Sequence, residues 1–234
     1  QGSNPLDGFI VENGIIASTD TPGTAVDVDA ANNLIAVADY DGGVALFNVY
    51  NGMNPAIIAQ VETTGWPVAV AVGANQVAAA CGSAGLSIID ATNPITASEI
   101  HVVPAEVFGT SVGAVAVGGD HVFVAGQTGE GGGQDIKDFA GSSAALNSIG
   151  MVELATGHVT AQYSLNDQQA TDLAVSGNVL YAIVGSAQGS VSDKGASYQT
   201  YRLMAFRIGQ GALDFTSSTS LPDSFGDENL TRKV

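Results

Sequence analysis

Clustered acidic side chains are the first residues in this sequence whose types and spacing could support chemistry. Three stretches carry them: "DVDAANN" at 27–33, "DYDGG" at 39–43 and "GEGGGQDIKD" at 129–138. Carboxylate and carbonyl oxygens are the ligands that Ca2+ prefers. The sequence requires no cofactor, but it offers two candidate calcium sites. One comprises Asp39 and Asp41, and the other Glu130, Asp135 and Asp138.

Each acidic stretch also has a simpler explanation. None has the twelve-residue spacing and closing glutamate of an EF-hand loop. Asp27 and Asp29 alternate with Val26 and Val28 along one strand, so we expect their carboxylates to be solvated. The Gly run at 131–133 lacks the Lys-Ser/Thr of a phosphate-binding loop, so we expect no phosphate site there.

Other residue types give no catalytic pattern. His101, His121 and His158 share no H-x-x-x-H spacing, and no G-x-S-x-G motif occurs. Cys81 is the single cysteine, so no intrachain disulfide can form. Its strand-like setting "AAACG" favours a small buried side chain over a nucleophile. These patterns favour a protein without catalysis over an enzyme.

A repeated strand pattern positions these residues. "VDVDAANNLIAVADYDGGVALFNV" (26–49) matches "VAVAVGANQVAAACGSAGLSIIDA" (68–91), 42 positions later. Each unit contains short apolar runs separated by Gly- and Asn-containing turns, which is typical of strands. Four strands in about 42 to 45 residues is the period of a β-propeller blade.

The repeat predicts an all-β fold, a β-propeller of four-stranded antiparallel blades. The predicted blades are 22–65, 66–111, 112–169 and 170–223. Apolar positions of the strands form the predicted core: Val26, Val28, Ile35, Val37, Leu46, Val70, Val72, Val77, Leu86, Ile88, Val115, Val117, Val122, Val124, Leu173, Val175, Leu180 and Ile183.

The predicted propeller is incomplete. Residues 8–21 match the third and fourth strands of a blade, with Asn13-Gly14 as the hairpin turn. Residues 224–234 form a predicted exit segment, too short for another blade. Such a half blade needs neighbouring strands. We expect them from further blades of a longer chain, or from another chain.

Two insertions are the most informative feature for function. Residues 127–148 and 186–199 occupy the same connection, between the second and third strands of blades 3 and 4. Loops of this length are often functional, although a surface loop also lengthens at little energetic cost. If they are functional, they should lie side by side over one face. The expected contact residues are Glu130, Gln134, Asp135, Lys137, Asp138, Asp193, Lys194 and Tyr198.

Trp66 and Pro67 open the second unit. Packing between blades is one explanation for an aromatic side chain at this position. The alternative is that the indole stacks on a sugar.

The stretch "GANQVAAACGSAGLSIIDATNP" resembles the LVIVD repeat, a β-propeller repeat of bacterial and archaeal extracellular proteins. Gly85, Leu86, Asp90, Asn93 and Pro94 stand in the signature positions. The other copies depart from it: the first has Asn48 in place of the aspartate, and the third and fourth lack the ending. The resemblance implies a propeller on a secreted or surface protein and assigns no catalytic residues.

Composition restricts the function further. The chain has 23 acidic and 6 basic residues, a formal charge of −17. So few cations cannot bind nucleic acid phosphates, and anionic membrane surfaces are disfavoured. The apolar runs are strand-length, so we expect no membrane insertion. Strong acidity suits an extracellular or cell-surface location, although it also occurs in cytoplasmic domains.

These observations predict a non-catalytic extracellular propeller that contacts a protein partner or ligand through the face bearing the insertions. The alternative is a secreted metal-dependent hydrolase, lyase or lactonase of propeller type, since propellers can gather acidic residues around a central metal. A third hypothesis, motivated by the incomplete first blade, is a structural subunit of a surface layer or filament.

Overall fold

The computed structural model describes residues 18–48, 55–127, 147–166, 168–186, 190–191, 197–198 and 201–221. The predicted half blade at 8–21 lies outside this part of the chain, except for residues 18–21. Residues 18–20 are exposed and belong to no strand. The predicted exit segment 224–234 also lies outside the described residues.

Four antiparallel sheets of four strands each form the described fold, which confirms the predicted all-β class. The first sheet contains β1 (Asp27–Ala31), β2 (Leu34–Ala38), β3 (Val44–Asn48) and β4 (Ala56–Val61). The second contains β5 (Ala69–Val72), β6 (Gln76–Ala80), β7 (Leu86–Asp90) and β8 (Ser98–Val103).

The third and fourth sheets have longer strands. The third contains β9 (Ser111–Gly118), β10 (His121–Gln127), β11 (Asn147–Glu153) and β12 (Val159–Asn166). The fourth contains β13 (Gln168–Ser176), β14 (Val179–Ser186), β17 (Tyr201–Gly209) and β18 (Ala212–Ser220). A separate two-stranded ladder of β15 (Ser190–Val191) and β16 (Ser197–Tyr198) lies in the connection between β14 and β17.

Helix is confined to single 3-10 turns in the described chain, at Tyr40–Gly42, Pro94–Thr96 and Ala105–Val107. Among the described residues, no helix is long and apolar enough to cross a membrane.

Turn chemistry explains the signature residues of the second unit. Asp90 accepts a hydrogen bond from the backbone N–H of Thr92 over 2.9 Å, and hydrogen bonds from Thr92 hold the pKa of this carboxyl below its usual value. The Asn93 side chain accepts from the backbone N–H of Ile95 and begins the 3-10 turn that leads to β8. The "DATNP" ending therefore builds a turn.

Three apolar clusters join the sheets in chain order. The first cluster packs Ala36, Val44 and Leu46 of the first sheet against the second sheet. A second joins the second and third sheets, and it surrounds the fully buried Phe108. The third, with Phe123 and Phe206, joins the third and fourth sheets. Small side chains in the second strands allow this close packing.

Two predicted core residues, Val26 and Val28, are wrong, and a third, Ile183, is half-buried and belongs to none of the apolar clusters of the described residues. Val28 is 61% exposed and Val26 is also exposed, whereas Val70, at the matching place in the second unit, is 4% exposed. The reason is position: Val70 packs against the first sheet, but no described sheet precedes Val28. With the half-buried Ile35 and the buried Val37 and Phe47, these valines line a groove of about 440 Å³.

Asp27 and Asp29 also differ from the prediction of solvated carboxylates. Oδ2 of Asp27 accepts a hydrogen bond from the backbone N–H of Val70 over 2.9 Å. Oδ2 of Asp29 accepts from the N–H of Val72 over 2.7 Å. Strand β5 is an edge strand, so its outward N–H groups need acceptors. The two carboxylates supply them and join the first sheet to the second.

Candidate functional site

One edge of the sheets collects the connections that could bind a partner. In an antiparallel sheet, the second strand and the fourth strand end on the same side. The connections after β2, β4, β6 and β8 therefore open there, together with the long connections β10–β11 and β14–β17. We call this side the loop edge.

Trp66 is the most exposed aromatic side chain described on the loop edge, with 60% of its surface accessible. It lies in the connection between β4 and β5. Its ring centroid is 4.9 Å from that of Tyr40, which lies in the connection between β2 and β3, and the rings are tilted by 45°. The neighbouring Pro67 is buried. The proline is therefore covered, whereas the indole stays accessible.

The Tyr40 backbone has a φ of +41°, in the left-handed region that a bulky residue rarely adopts. Such a conformation costs on the order of 1 kcal/mol or more. The phenol ring of this residue contacts Trp66.

The loop that carries Trp66 is fixed by Glu99 of β8. The Thr64 backbone N–H donates to Oε1 of Glu99 over 2.9 Å, and the Thr64 hydroxyl donates to Oε2 over 2.7 Å. Thr63 Oγ1 donates to the carbonyl of Gly65 over 2.8 Å. A side chain at Gly65, which has a φ of +95°, would collide with Ala84. The indole is therefore presented from an ordered turn.

Asp39 lies at the base of the same edge and is fully buried. Its Oδ2 accepts from the backbone N–H of Gly23 over 2.6 Å and from Nε2 of Gln60 over 3.4 Å. Gln60 Nε2 also donates to the carbonyl of Gly42. Oδ1 of Asp39 has no partner among the described residues. Through these hydrogen bonds, the Asp39 carboxylate and Gln60 connect residue 23 to the turn at 40–42.

The candidate calcium residues fall into two groups. In the first group, Asp41 is exposed and lies two residues after the buried Asp39. The described residues hold no cluster of three or more His, Cys, Asp or Glu side chains suited to a metal ion. Glu130, Asp135 and Asp138 lie outside the described residues. Calcium binding at either place remains a prediction.

The predicted contact residues are likewise largely outside the described chain, namely Glu130, Gln134, Asp135, Lys137, Asp138, Asp193 and Lys194. Tyr198 belongs to β16, where it pairs with Ser190. The strands on either side of the insertions are described, and they place both insertions between the second and third strands of their sheets.

Two of the histidines contact an oxygen atom of another residue. His101 Nε2 lies 2.9 Å from the carbonyl oxygen of Ala155, and His121 Nδ1 lies 2.6 Å from Oδ1 of Asp120. Cys81 is buried, as predicted. Burial raises the pKa of its thiol above the usual value, and its Sγ lies 3.5 Å from Oγ of Ser87. A neutral, enclosed thiol is a poor nucleophile.

Sequence reasoning did not identify Tyr40 as a site residue. The prediction for "DYDGG" concerns the two aspartates and not the aromatic residue between them. The available signal was a bulky residue in a tight turn, at a place that favours Gly or Asn. Its contact with Trp66, 26 positions away, had no sequence signal.

Comparisons with known proteins bear on the fold. No family model and no curated protein matches the sequence. The chain is similar to the computationally designed Ika4 protein, with a TM-score of 0.54 and 11% identity, over 83% of this chain and 98% of that one.

Two further structures show the same likeness. U3-55K matches with a TM-score of 0.55 and 10% identity, over 84% of this chain and 53% of that one. A europium-containing methanol dehydrogenase matches with a TM-score of 0.55 and 12% identity, over 83% and 42%. The chain thus spans about half or less of the length of these two. At such identities the likeness concerns the fold alone, which is propeller-like and all-β.

Proposed function

We propose that this protein is a non-catalytic, extracellular or cell-surface contact module that binds a protein partner at its loop edge. The observation that supports this proposal is the accessible indole of Trp66, held by Tyr40 and by a turn fixed to Glu99. An ordered, exposed tryptophan is the type of residue that anchors protein interfaces.

The charges near the indole favour a basic partner. Asp41 follows Tyr40 in the chain, Glu62 lies four residues before Trp66, and both are exposed. Arg202 and Arg207, both in the fourth sheet, are the only Lys or Arg residues in the described part of the chain. A guanidinium or ammonium group over an indole face gains roughly 0.5 to 2 kcal/mol, and nearby carboxylates add to the attraction.

The experiment uses the intrinsic fluorescence of Trp66, the single tryptophan of the chain. Short Arg- and Lys-containing peptides are titrated into the full chain, with glutamate-containing peptides and neutral oligosaccharides as comparisons. We expect quenching by the basic peptides, weaker in high salt. Quenching by oligosaccharides alone would indicate a sugar site and contradict the proposal.

Variants separate this site from nonspecific attraction. Trp66→Ala should abolish the binding heat of the basic peptide in calorimetry. Ile95→Ala, at a residue 75% exposed in the turn before β8, is the matched control and should leave the heat unchanged. Equal loss in both variants, or no loss in Trp66→Ala, contradicts the proposed site.

A further inference from the structure

The indole of Trp66 offers a flat surface to a ligand. Tyr40 lies against one side of the ring, with 4.9 Å between the two ring centroids, and 60% of the Trp66 surface stays accessible. The loop that carries the indole is fixed, because Thr64 donates two hydrogen bonds to the carboxylate of Glu99. A planar ligand group can therefore stack on the open side of the indole without first ordering the loop.

Two carboxylates lie at one end of the neighbouring strand pair. Strand β3 begins at Val44 and β4 ends at Val61, and these two residues pair. Asp41 precedes the first of them and Glu62 follows the second, so both leave the ladder at the same end. The two connections touch, since a Cβ added at Gly43 would lie 3.4 Å from the Cα of Glu62. Both acidic residues are exposed. We call Asp41 and Glu62 the acidic rim.

The described cations of this chain leave the acidic rim to a ligand. Arg202 and Arg207 both belong to β17 of the fourth sheet. Among the described residues, neither Asp41 nor Glu62 takes part in an ion pair. Unneutralised carboxylates beside an aromatic face favour a cationic group over a neutral one such as a sugar.

A guanidinium group fits this combination better than an ammonium group. It is planar and weakly hydrated, so it stacks on an aromatic face, and its N–H donors point outward in the plane of the group. It can therefore cover the indole and donate to a carboxylate at the rim at the same time. An ammonium group is compact and strongly hydrated, so the same contact costs it more solvation.

We infer that this site, whose existence rests on the function proposed above, selects arginine over lysine. The guanidinium of an arginine in the partner protein stacks on the open side of Trp66 and donates hydrogen bonds to the acidic rim. Tyr40 is a positioning residue, because its ring holds the indole in one orientation. The partner segment is an exposed, arginine-containing stretch of a protein.

Three peptides test this selection. They share one neutral sequence and differ at a single central residue, which is arginine, lysine or citrulline. Citrulline has the shape of arginine without its charge. Each peptide is titrated into the full chain, and the dissociation constant is obtained from the fluorescence of Trp66, the single tryptophan. We expect the arginine peptide to bind about tenfold more tightly than either of the others.

A charge-removing variant tests the acidic rim. Asp41→Asn combined with Glu62→Gln keeps the shape of the rim and removes its charge. The preference for arginine over lysine should fall to about threefold or less, because the guanidinium loses its charged in-plane acceptors. The matched control is Glu106→Gln with Asp120→Asn, which removes two exposed carboxylates elsewhere and should keep the full preference.

Tyr40→Gly tests the positioning role. Glycine adopts the φ of +41° at this position without strain, so the variant should fold. It lacks the ring that holds the indole, so the affinity for the arginine peptide should fall several-fold, and that for the lysine peptide should change less. Tyr40→Phe keeps the ring and should behave as wild type.

The outcomes separate this inference from the proposed function. Equal dissociation constants for the arginine and lysine peptides overturn the selection and leave the basic-partner site in place. A citrulline peptide that binds as tightly as the arginine peptide also overturns it, because stacking alone would then suffice. An unchanged arginine preference in the rim variant shows that the rim is not the acceptor and is likewise contradictory. Binding of none of the three peptides contradicts the proposed function as well.

Discussion

The carboxylate of Asp27 accepts a hydrogen bond from the backbone N–H of Val70, which lies 43 positions later in the neighbouring sheet. A backbone N–H group on an edge strand is otherwise left to water. Here one acidic side chain fixes the height of one sheet against the next, and Asp29 repeats the contact with Val72.

Replacing Asp27 by alanine should therefore destabilise the fold. A partly buried hydrogen bond to a charged acceptor contributes about 1.5 to 3 kcal/mol, and the Val70 N–H loses that acceptor. We expect the free energy of unfolding in urea to fall by about 1 to 2 kcal/mol. Asp20→Ala, which removes an exposed carboxylate, should change it by less than about 0.5 kcal/mol. Equal effects of the two substitutions would show that the contact with Val70 is not important.

Asp39→Ala should also be costly. The substitution removes the acceptor for the Gly23 N–H and leaves that donor without its partner. We expect a loss of about 1 to 3 kcal/mol in urea unfolding, without loss of the β-sheet circular dichroism signal. Asp39→Asn keeps one carbonyl oxygen for Gly23, so it should recover part of the loss. If Asp39→Asn is as damaging as Asp39→Ala, the negative charge is required rather than the hydrogen bond.

Gly85 precedes β7 with a φ of +103°, and a side chain there would collide with the backbone carbonyl of Val103. Gly85→Ala should lower the free energy of unfolding by about 2 to 4 kcal/mol, because the backbone must shift and the new residue is strained. Gly82 is the matched control. It also has a positive φ of +57°, but no atom lies within 4 Å of an added Cβ. Gly82→Ala should cost only about 1 kcal/mol. Similar losses of unfolding free energy in Gly85→Ala and Gly82→Ala would mean that the structure adjusts to relieve the collision at Gly85.

The buried thiol of Cys81 predicts a specific dependence of stability on pH. Because burial raises its pKa in the folded state, the unfolded chain releases this proton first as pH rises. The contribution of the buried thiol to folding stability is complete below the ordinary thiol pKa of about 8.5. It is lost as pH rises through the raised pKa of the folded state. Between pH 7 and pH 9.5, wild type should lose about 1 kcal/mol more stability than Cys81→Ala.

The same burial should make the thiol unreactive. A disulfide reagent added at neutral pH should label Cys81 slowly in the folded chain and quickly in urea. Rapid labelling of the folded chain would show that the second sheet opens readily at this position.

The repeat made the sheets predictable, because strand length and turn residues are local features. Asn32 and Asn33, for example, have positive φ values and form the β1–β2 turn that their types predict. The alignment of the first unit on the second was also evident from the sequence, since Gly43 and Gly85 stand at equivalent positions.

What the sequence could not reveal depends on neighbours in space. Val28 and Val70 have the same local pattern, yet only Val70 has a preceding sheet to cover it. Asp27 appeared solvated because its partner is a backbone group of another sheet. Likewise, the contact between Tyr40 and Trp66 joins two connections that no periodicity relates. Each of these misses concerns a contact between sheets rather than within one.

Three of the four apolar clusters of the described residues each join only two consecutive sheets. The fourth, with Val37, Ala45 and Phe47, lies on the first sheet. Nearly every side chain of the core therefore packs against one neighbouring unit and against nothing farther along the chain. Gene duplication or deletion of a whole unit would alter just the junctions at its two borders, so such a protein can evolve to a different length without redesigning its interior.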